Sequence, residues 1–530
     1  MSDILPRLER TDTAHPGHGS ASSAEKNGSD APPISARTYA LWLAGLLAVL
    51  LVCRIGALWF AQTELFFDEA QYWYWSTEPA FGYYSKPPFI AWIIAASTQV
   101  CGTSEFCVRL PSPIFHTATA LFIFAAARRI YDARTGILAA LAYATLPAVS
   151  LSSGVISTDV PLLLFWAAAL YFFVLLIETR SWAAAIGLGF ALGLGALSKY
   201  AMLYFVLCAA VYALWSQTGR GLWRDPRWYL ALAIGGAILS PNVAWNIENK
   251  FATFSHTADN ARLDGPLFNV GSLVEFAGAQ FGVMGPVLFA VLLLTAVRGL
   301  RHRLDERDCM LLCFSLPVIA LISAQAFLSR AHANWAAVAY VAATILVIAV
   351  LLRANARRAL LASFGLHTAL VVAFALGLAM AQTAVLPFNI NPFERVLGWR
   401  ELAATADRLA PERGAGSIAA DKRALAAELN YYSRAGLPVK AWNTPGTPPR
   451  DHFEMTNPVT ASTPAPILFV AANDRIACVA EHFGRVETLG RREVAAGATA
   501  TRAAYFYLLH DPRPDAFTAD RSTKPGCRRG

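Results

Sequence analysis

Apolar residues in this chain come in long, nearly unbroken runs rather than at the two-residue spacing of a strand or the staggered spacing of a half-buried helix. Runs near 39–60, 107–127, 136–152, 159–177, 183–198, 200–216, 228–245, 272–297, 309–328, 335–352 and 359–385 approach the roughly 20 residues that a helix needs to cross a bilayer. They predict a polytopic α-helical membrane protein of about eleven transmembrane helices. Arginines cluster between the runs, at Arg128, Arg129 and Arg134, at Arg180, at Arg220, Arg224 and Arg227, at Arg298 to Arg307, and at Arg353, Arg357 and Arg358. All fall on one side if the N-terminus is cytoplasmic, as the positive-inside rule expects. One more apolar stretch, PPFIAWIIAASTQV at 87–100, is short and opens on two prolines. If it crossed, Arg128 and Arg129 would face outward and every later loop would invert, so it reads as an interfacial or re-entrant helix.

The ends of the chain break the pattern. Residues 1–38 are Ser-, Ala-, Pro-, Gly- and His-rich with little apolar content, which predicts a disordered cytoplasmic tail. The membrane domain then spans 39–385. From 386 to 530 the runs shorten: SIAAD, KRALAAELNYYSR and LPVKAW have a strand–helix–strand rhythm, and PILFVAAN and AAYFYLLH read as further strands. With an odd number of spans this small α/β domain is periplasmic, on the side opposite the arginine clusters.

Composition agrees. Of 530 residues 56% are hydrophobic and only 15% charged, with mean hydropathy +0.42, where a soluble chain carries about a quarter charged residues. The net charge of +8 sits in the short loops, and no basic stripe interleaved with aromatics suggests a nucleic-acid partner. The eight cysteines are scattered. Cys309 and Cys313 share a helix face without further ligands nearby, which makes a metal site improbable. Cys101 with Cys107, and Cys478 with Cys527, are either disulfides in an oxidising compartment or free thiols.

The chemistry sits where the runs break on the outer side. FFDEAQYWYWS places Asp68 and Glu69 among aromatics just after the first membrane helix, and Lys86 follows in GYYSKPPF, with Tyr84 two residues before it. Asp159 opens a helix in STDVPLLLFW; Lys199 interrupts two apolar runs in LSKYAM; Asn242, Asn246 and His256 lie in SPNVAWNIENKFATFSH; Arg330, His332 and Asn334 lie in SRAHANW. Charge near a membrane is costly and defaults to a functional hypothesis. Each residue also has a plainer reading. Asp159 suits a helix N-cap, Lys199 can snorkel, Asn242 and Asn246 can serve helix-end carbonyls, and the aromatics can form an interfacial belt. Their gathering on one face favours a site. Motifs of soluble enzymes are absent: there is no P-loop, no G-x-S-x-G, no zinc spacing and no Asp-x-Asp triplet. GLGFALGLG at 187–195 lacks the preceding strand of a dinucleotide loop, so small-residue helix packing accounts for it.

Taken in order, FFDEAQYWYW, GYYSKPPFIAW, STDVPLLLFW and LSKYAMLY resemble the GT-C glycosyltransferases that use polyprenyl-phosphate sugars. The likeness is greatest to bacterial aminoarabinose transferases of lipid A and rhizobial galacturonosyl transferases of lipopolysaccharide core, and more distant to protein O-mannosyltransferases. It covers the chain to about residue 350. The resemblance implies that Asp68 is the base or acceptor-orienting carboxylate, with Glu69 its companion and Asp159 the acid of the second outer loop. It implies that Lys86 and Lys199 hold the donor phosphate, with Arg330, Tyr84, Asn242 and His256 as further candidate contacts. It also implies a polyprenyl-phosphate sugar donor, a lipid or glycolipid acceptor, membrane lipids as surroundings, inversion at the sugar carbon and metal independence. Adjacent acids leave a divalent cation open. Three other readings compete. A secondary transporter would place its charges near the midplane of repeated halves, a pattern this sequence lacks. A protein O-glycosyltransferase would share the donor and differ in acceptor. A non-catalytic scaffold leaves the acid and lysine cluster unexplained.

Overall fold

A computed structural model describes residues 36–260, 267–301 and 304–517. The tail expected at 1–38 lies outside these residues up to position 35, as does Cys527. Every predicted apolar run is found as helix, but not every run is straight. Among the described residues six helices are long and apolar enough to span: Arg37–Trp59, Glu105–Ile130, Asp159–Thr179, Pro226–Glu248, Glu306–Leu328 and Arg357–Ala379. Two further pairs bend sharply at short breaks, Tyr200–Trp215 with Gln217–Arg224 by 112°, and Val270–Met284 with Pro286–Gly299 by 116°. The second bend corrects the expectation of one span over 272–297. Gly285 adopts φ +87, open to glycine at little cost, and Pro286 follows it and cannot donate to the preceding turn. The run at 136–152 likewise breaks into Ala133–Thr145 and Pro147–Ser152, because Pro147 starts a new helix after the extended Leu146.

Burial sorts the spans. Ala339–Arg353 is buried at nearly every position and forms the centre of the bundle, which is why it is apolar all round. Arg37–Trp59 and Arg357–Ala379 leave Leu41, Leu46, Val49, Leu361, Val372 and Leu376 exposed, a face suited to lipid. The glycines of GLGFALGLG do pack helices together. A Cβ on Gly189 or Gly193 would sit 2.7 or 2.6 Å from Ile234 or Ile238 of Pro226–Glu248. The stretch at 87–100 forms Phe89–Cys101. At 1.5 Å per residue its 13 residues reach only about 20 Å, short of a bilayer core.

The C-terminal domain carries five strands: β1 (Ser417–Ala420), β2 (Val439–Ala441), β3 (Ile467–Ala471), β4 (Phe483–Ala495) and β5 (Thr501–Pro512). The sheet order is β2-β1-β3-β5-β4. β1 lies between β2 and β3, parallel to both, with Ile418 opposite Val439 and Leu468; β5 runs antiparallel to β3 and β4. Alternate residues serve two cores. Ala419, Ile467, Phe469, Tyr507 and Leu509 pack with Trp442 and Phe483. Ile418, Leu468, Val470, Phe506 and Leu508 face helices Trp399–Glu412 and Arg423–Tyr432. That second core continues without a break into Leu65, Ala70, Tyr72, Trp75 and Tyr83 of the first loop. The aromatic run therefore docks the domain. Trp73 meets Tyr431 edge-on at 4.8 Å, Tyr74 lies 4.8 Å from Phe453, and Tyr432 accepts a 2.8 Å hydrogen bond from the amide of Leu65.

Candidate active site

The loop helix Phe67–Thr77 separates the two adjacent acids. Glu69, three residues past the helix start, reaches back to the amide of Phe66 at 2.9 Å, half of a capping box. Its other contacts are a fork with Arg109 (2.6 Å from Nη2) and a 2.8 Å bond from the amide of Ile156. Arg109 also donates to Thr63 and to the carbonyl of Glu64. Both partners are essentially buried, Glu69 at 1% and Arg109 at 2% exposure. This departs from the expectation that Glu69 accompanies Asp68 in catalysis: its carboxylate fastens the loop helix to Arg109 and to the segment that precedes Asp159–Thr179, and has no lone pair to spare for substrate. Asp68, one position earlier and turned away, lines a polar chamber.

That chamber, of about 320 Å³, is lined by Asp68, Tyr72, Tyr84, Ser85, Lys86, His256, His332, Trp335, Arg423, Arg450 and Asp451. An apolar groove of about 350 Å³ adjoins it and shares Ser85, Lys86 and Trp335, continuing past Lys199, Tyr200, Tyr204, Leu321, Ile322 and Leu328. Lys86 thus stands where a wet chamber meets a greasy channel.

Charges around the junction pair unevenly. Asp159, at the start of Asp159–Thr179, accepts 2.7 Å bonds from Lys199 Nζ and Asn334 Nδ2. Lys199 reaches it from an extended residue between Trp182–Ser198 and Tyr200. Asp68 Oδ1 accepts a 2.7 Å bond from Arg423 Nη1. Three cations stand against two acids, and the Lys86 ammonium makes no hydrogen bond or ion pair with the described residues. Burial first, then the neighbouring Lys199 charge, pushes Lys86 down to about 8, while Asp68 and Asp159 pull the other way. Burial, with the charges of Lys86 and Arg423, lowers His256 to about 4 and keeps it neutral near pH 7. Asp451 is raised to about 6 by burial and by Glu454.

Other expected residues divide in the same way. Tyr84 lines the chamber, donates to the carbonyl of Pro449 at 2.9 Å and packs on His256. Asn242 is buried outside it, accepting from Tyr200 and donating to the carbonyl of Phe81, each at 2.7 Å. Its amide pins the first outer loop to the Pro226–Glu248 helix, and Asn246 accepts from the amide of Thr253 in the helix that follows. Arg330 lines neither cavity, and its Nε is buried without a partner among the described residues. No group of three or more His, Cys, Asp or Glu side chains is placed to share a metal ion among the described residues.

Sequence reasoning missed Arg423, Arg450 and Asp451, all from the C-terminal domain. They follow the carboxyl ends of the parallel strands β1 and β2, the edge where α/β sheets usually bind ligands. The strand–helix rhythm held that signal, but nothing in it says that this edge faces Asp68. Cys101 and Cys107 are joined by a disulfide beside the loop.

Comparison with known proteins gives a consistent answer. Residues 85–245 match the family model described as dolichyl-phosphate-mannose-protein mannosyltransferase. Over 431 residues the chain is 36% identical to the lipid A galacturonosyltransferase RgtD of Rhizobium johnstonii, covering 81% of this chain and 90% of that protein. A 165-residue stretch, 30% of this chain and 29% of the relative, is 34% identical to an undecaprenyl phosphate-alpha-4-amino-4-deoxy-L-arabinose arabinosyl transferase of Pseudomonas aeruginosa. The crystal structure of ArnT from Cupriavidus metallidurans bound to undecaprenyl phosphate superposes with TM-score 0.57 at 17% identity, over 89% of this chain and 99% of that one. Fold and relatives together define a multi-pass membrane glycosyltransferase. The chain belongs to the GT-C superfamily, and RgtD is a relative that it matches over most of its length.

Proposed function

We propose that this enzyme transfers a sugar from a polyprenyl-phosphate carrier to lipid A or a similar lipopolysaccharide-type glycolipid, on the periplasmic face of the bacterial inner membrane. The observation that carries the reading is the position of Lys86, a half-buried ammonium without a counterion among the described residues, where the polar chamber opens into the apolar groove. A polyprenyl phosphate needs both surroundings at once: a channel for its tail and a cation for its head. The undecaprenyl phosphate named with the ArnT structure supports that donor class, and the names of both enzyme relatives support a carrier-linked sugar or a lipid A acceptor. A galacturonosyl group is the sugar we favour, since RgtD is named for it.

In the reaction an acceptor oxygen attacks the sugar anomeric carbon as the bond to the carrier phosphate breaks, and the phosphate leaves with the electron pair. Lys86 and Lys199 offset the charge that grows on it; a compact ammonium suits that task. Asp159 and Asn334 hold Lys199 in place. Asp68 orients the acceptor hydroxyl and takes its proton; with a phosphate acceptor no proton moves and Asp68 only orients. A single displacement inverts the anomeric centre. The periplasmic side is supported by the Cys101–Cys107 disulfide, which closes the turn after Phe89–Cys101, since such bonds persist in oxidising compartments.

The test uses purified protein, a labelled undecaprenyl-phosphate galacturonosyl donor and lipid A. Label should move to lipid A in wild type, and transfer that survives unchanged in both Asp68→Asn and Lys86→Ala would end this reading.

A further inference from the structure

The chamber wall opposite the loop helix belongs to the C-terminal domain, and its contact with Asp68 is specific. Arg423 Nη1 donates to Asp68 Oδ1 at 2.7 Å and to Gln71 Oε1 at 3.0 Å, while its guanidinium lies 4.8 Å over the ring of Phe67. Phe67 and Asp68 each lie one helical turn from Gln71, so a single side chain set over that turn reaches all three. Gln71 is 1% exposed and holds its end of the grip still. Arg423 opens the helix that follows β1, and that helix packs into the core shared with the loop. Its place relative to Asp68 is set by packing, not by a tether.

Pairing explains what the grip is for. Asp68 and Lys86 line the same chamber, and an acid free to turn would be drawn to the unpaired ammonium. With Asp159 committed to Lys199 and Asp68 to Arg423, the ammonium of Lys86 is left for the donor phosphate. The Asp68–Arg423 pair is more than a third open on each side (37% and 35%), so it adds little to folding. A pair of small value to stability, built by two domains at the mouth of the site, is arranged for position.

We propose that Arg423 is the positioning residue for Asp68: it holds the carboxylate toward the acceptor and away from Lys86, so that the C-terminal domain completes the active site. The inference rests on the reading of Lys86 as the phosphate site and Asp68 as the acceptor-orienting acid.

The test measures transfer and, separately, binding of undecaprenyl phosphate to the purified full chain. In Arg423→Ala, transfer should fall about 100-fold through kcat, and undecaprenyl phosphate binding should weaken about tenfold as Asp68 turns to Lys86. Adding Asp68→Asn to Arg423→Ala should restore the binding and not the transfer, because an amide no longer neutralises Lys86. Arg423→Lys should keep part of the transfer, since it retains the charge that pairs Asp68 and loses the bond to Gln71 and the stacking on Phe67. The proposal fails if Arg423→Ala transfers within about threefold of wild type. It fails equally if the double variant binds as weakly as Arg423→Ala, which would make Arg423 a phosphate ligand or a folding residue. Wild type that neither binds undecaprenyl phosphate nor transfers would remove the reading beneath it as well.

Discussion

Asp68 and Glu69 are one residue and roughly 100° of helix apart, and that rotation gives them different tasks. Glu69 is enclosed with Arg109, so removing its charge leaves a buried guanidinium without a partner. Glu69→Gln should lower stability by about 3–5 kcal/mol, read as a large fall in the thermal midpoint of the detergent-purified protein. Asp68→Asn should leave that midpoint nearly unchanged and suppress transfer. Lys86→Ala should lower kcat by about 10²–10³-fold, as removal of a cation from a developing charge does. The lowered titration of Lys86 sets a pH dependence. Its useful form is the ammonium, present below about 8, so activity should decline as pH rises through that value. Lys86→Arg, which stays charged, should lose that decline even if its overall rate is lower. A pH–rate profile of both proteins decides it. The placement of these residues was only half legible in the sequence. The residue types and order marked Asp68, Lys86, Asp159 and Lys199, but two adjacent acids look alike until the helix phase and the position of Arg109, 40 residues on, are known.

Among the elements, the long apolar runs were legible because period and length alone distinguish a spanning helix from a strand. Breaks within them were less so. Gly285 and Pro147 are visible as punctuation, yet whether such a residue bends a helix or passes unnoticed depends on what packs beside it. The glycine-rich helix Trp182–Ser198 was read correctly as a packing element for a physical reason: repeated small residues have no side chain to bury except by admitting a neighbour. Gly193→Ala should cost about 1–3 kcal/mol by forcing Ile238 away, measurable as a lowered thermal midpoint without change in donor binding. The aromatic run was partly misjudged. Tyr, Trp and Phe at a membrane border suit an interfacial belt, and the sequence offered no sign that Trp73, Tyr74 and Trp75 meet Tyr431, Phe453 and His452. The β4–β5 hairpin was also only half seen, because exposed β4 mixes Arg and Glu with its Val and Leu and has no clean alternation.

For the whole molecule, the loop core and the domain core are one cluster, so the C-terminal domain is expected to be indispensable. Residues 1–398 alone keep Asp68, Lys86, Asp159 and Lys199 but expose Tyr72 and Trp75, which are now buried at 4% and 1%. This truncated chain should be inactive in the transfer assay and aggregation-prone on size exclusion; full activity would mean that the shared core is incidental. Topology has its own check: a reporter fused after residue 400 should signal from the periplasm, and a cytoplasmic signal would show that Phe89–Cys101 crosses. The sequence by itself determined that the chain spans a membrane many times, ends in an α/β domain, and carries an acid–lysine set on one face, because hydropathy, period and charge placement are local properties. The tertiary structure alone decided which acid reaches the chamber, which lysine is left without a counterion, and that Arg423 comes from the far domain to meet Asp68. Those facts depend on packing between segments from 40 to 355 residues apart in the chain, and no local pattern encodes distances of that kind.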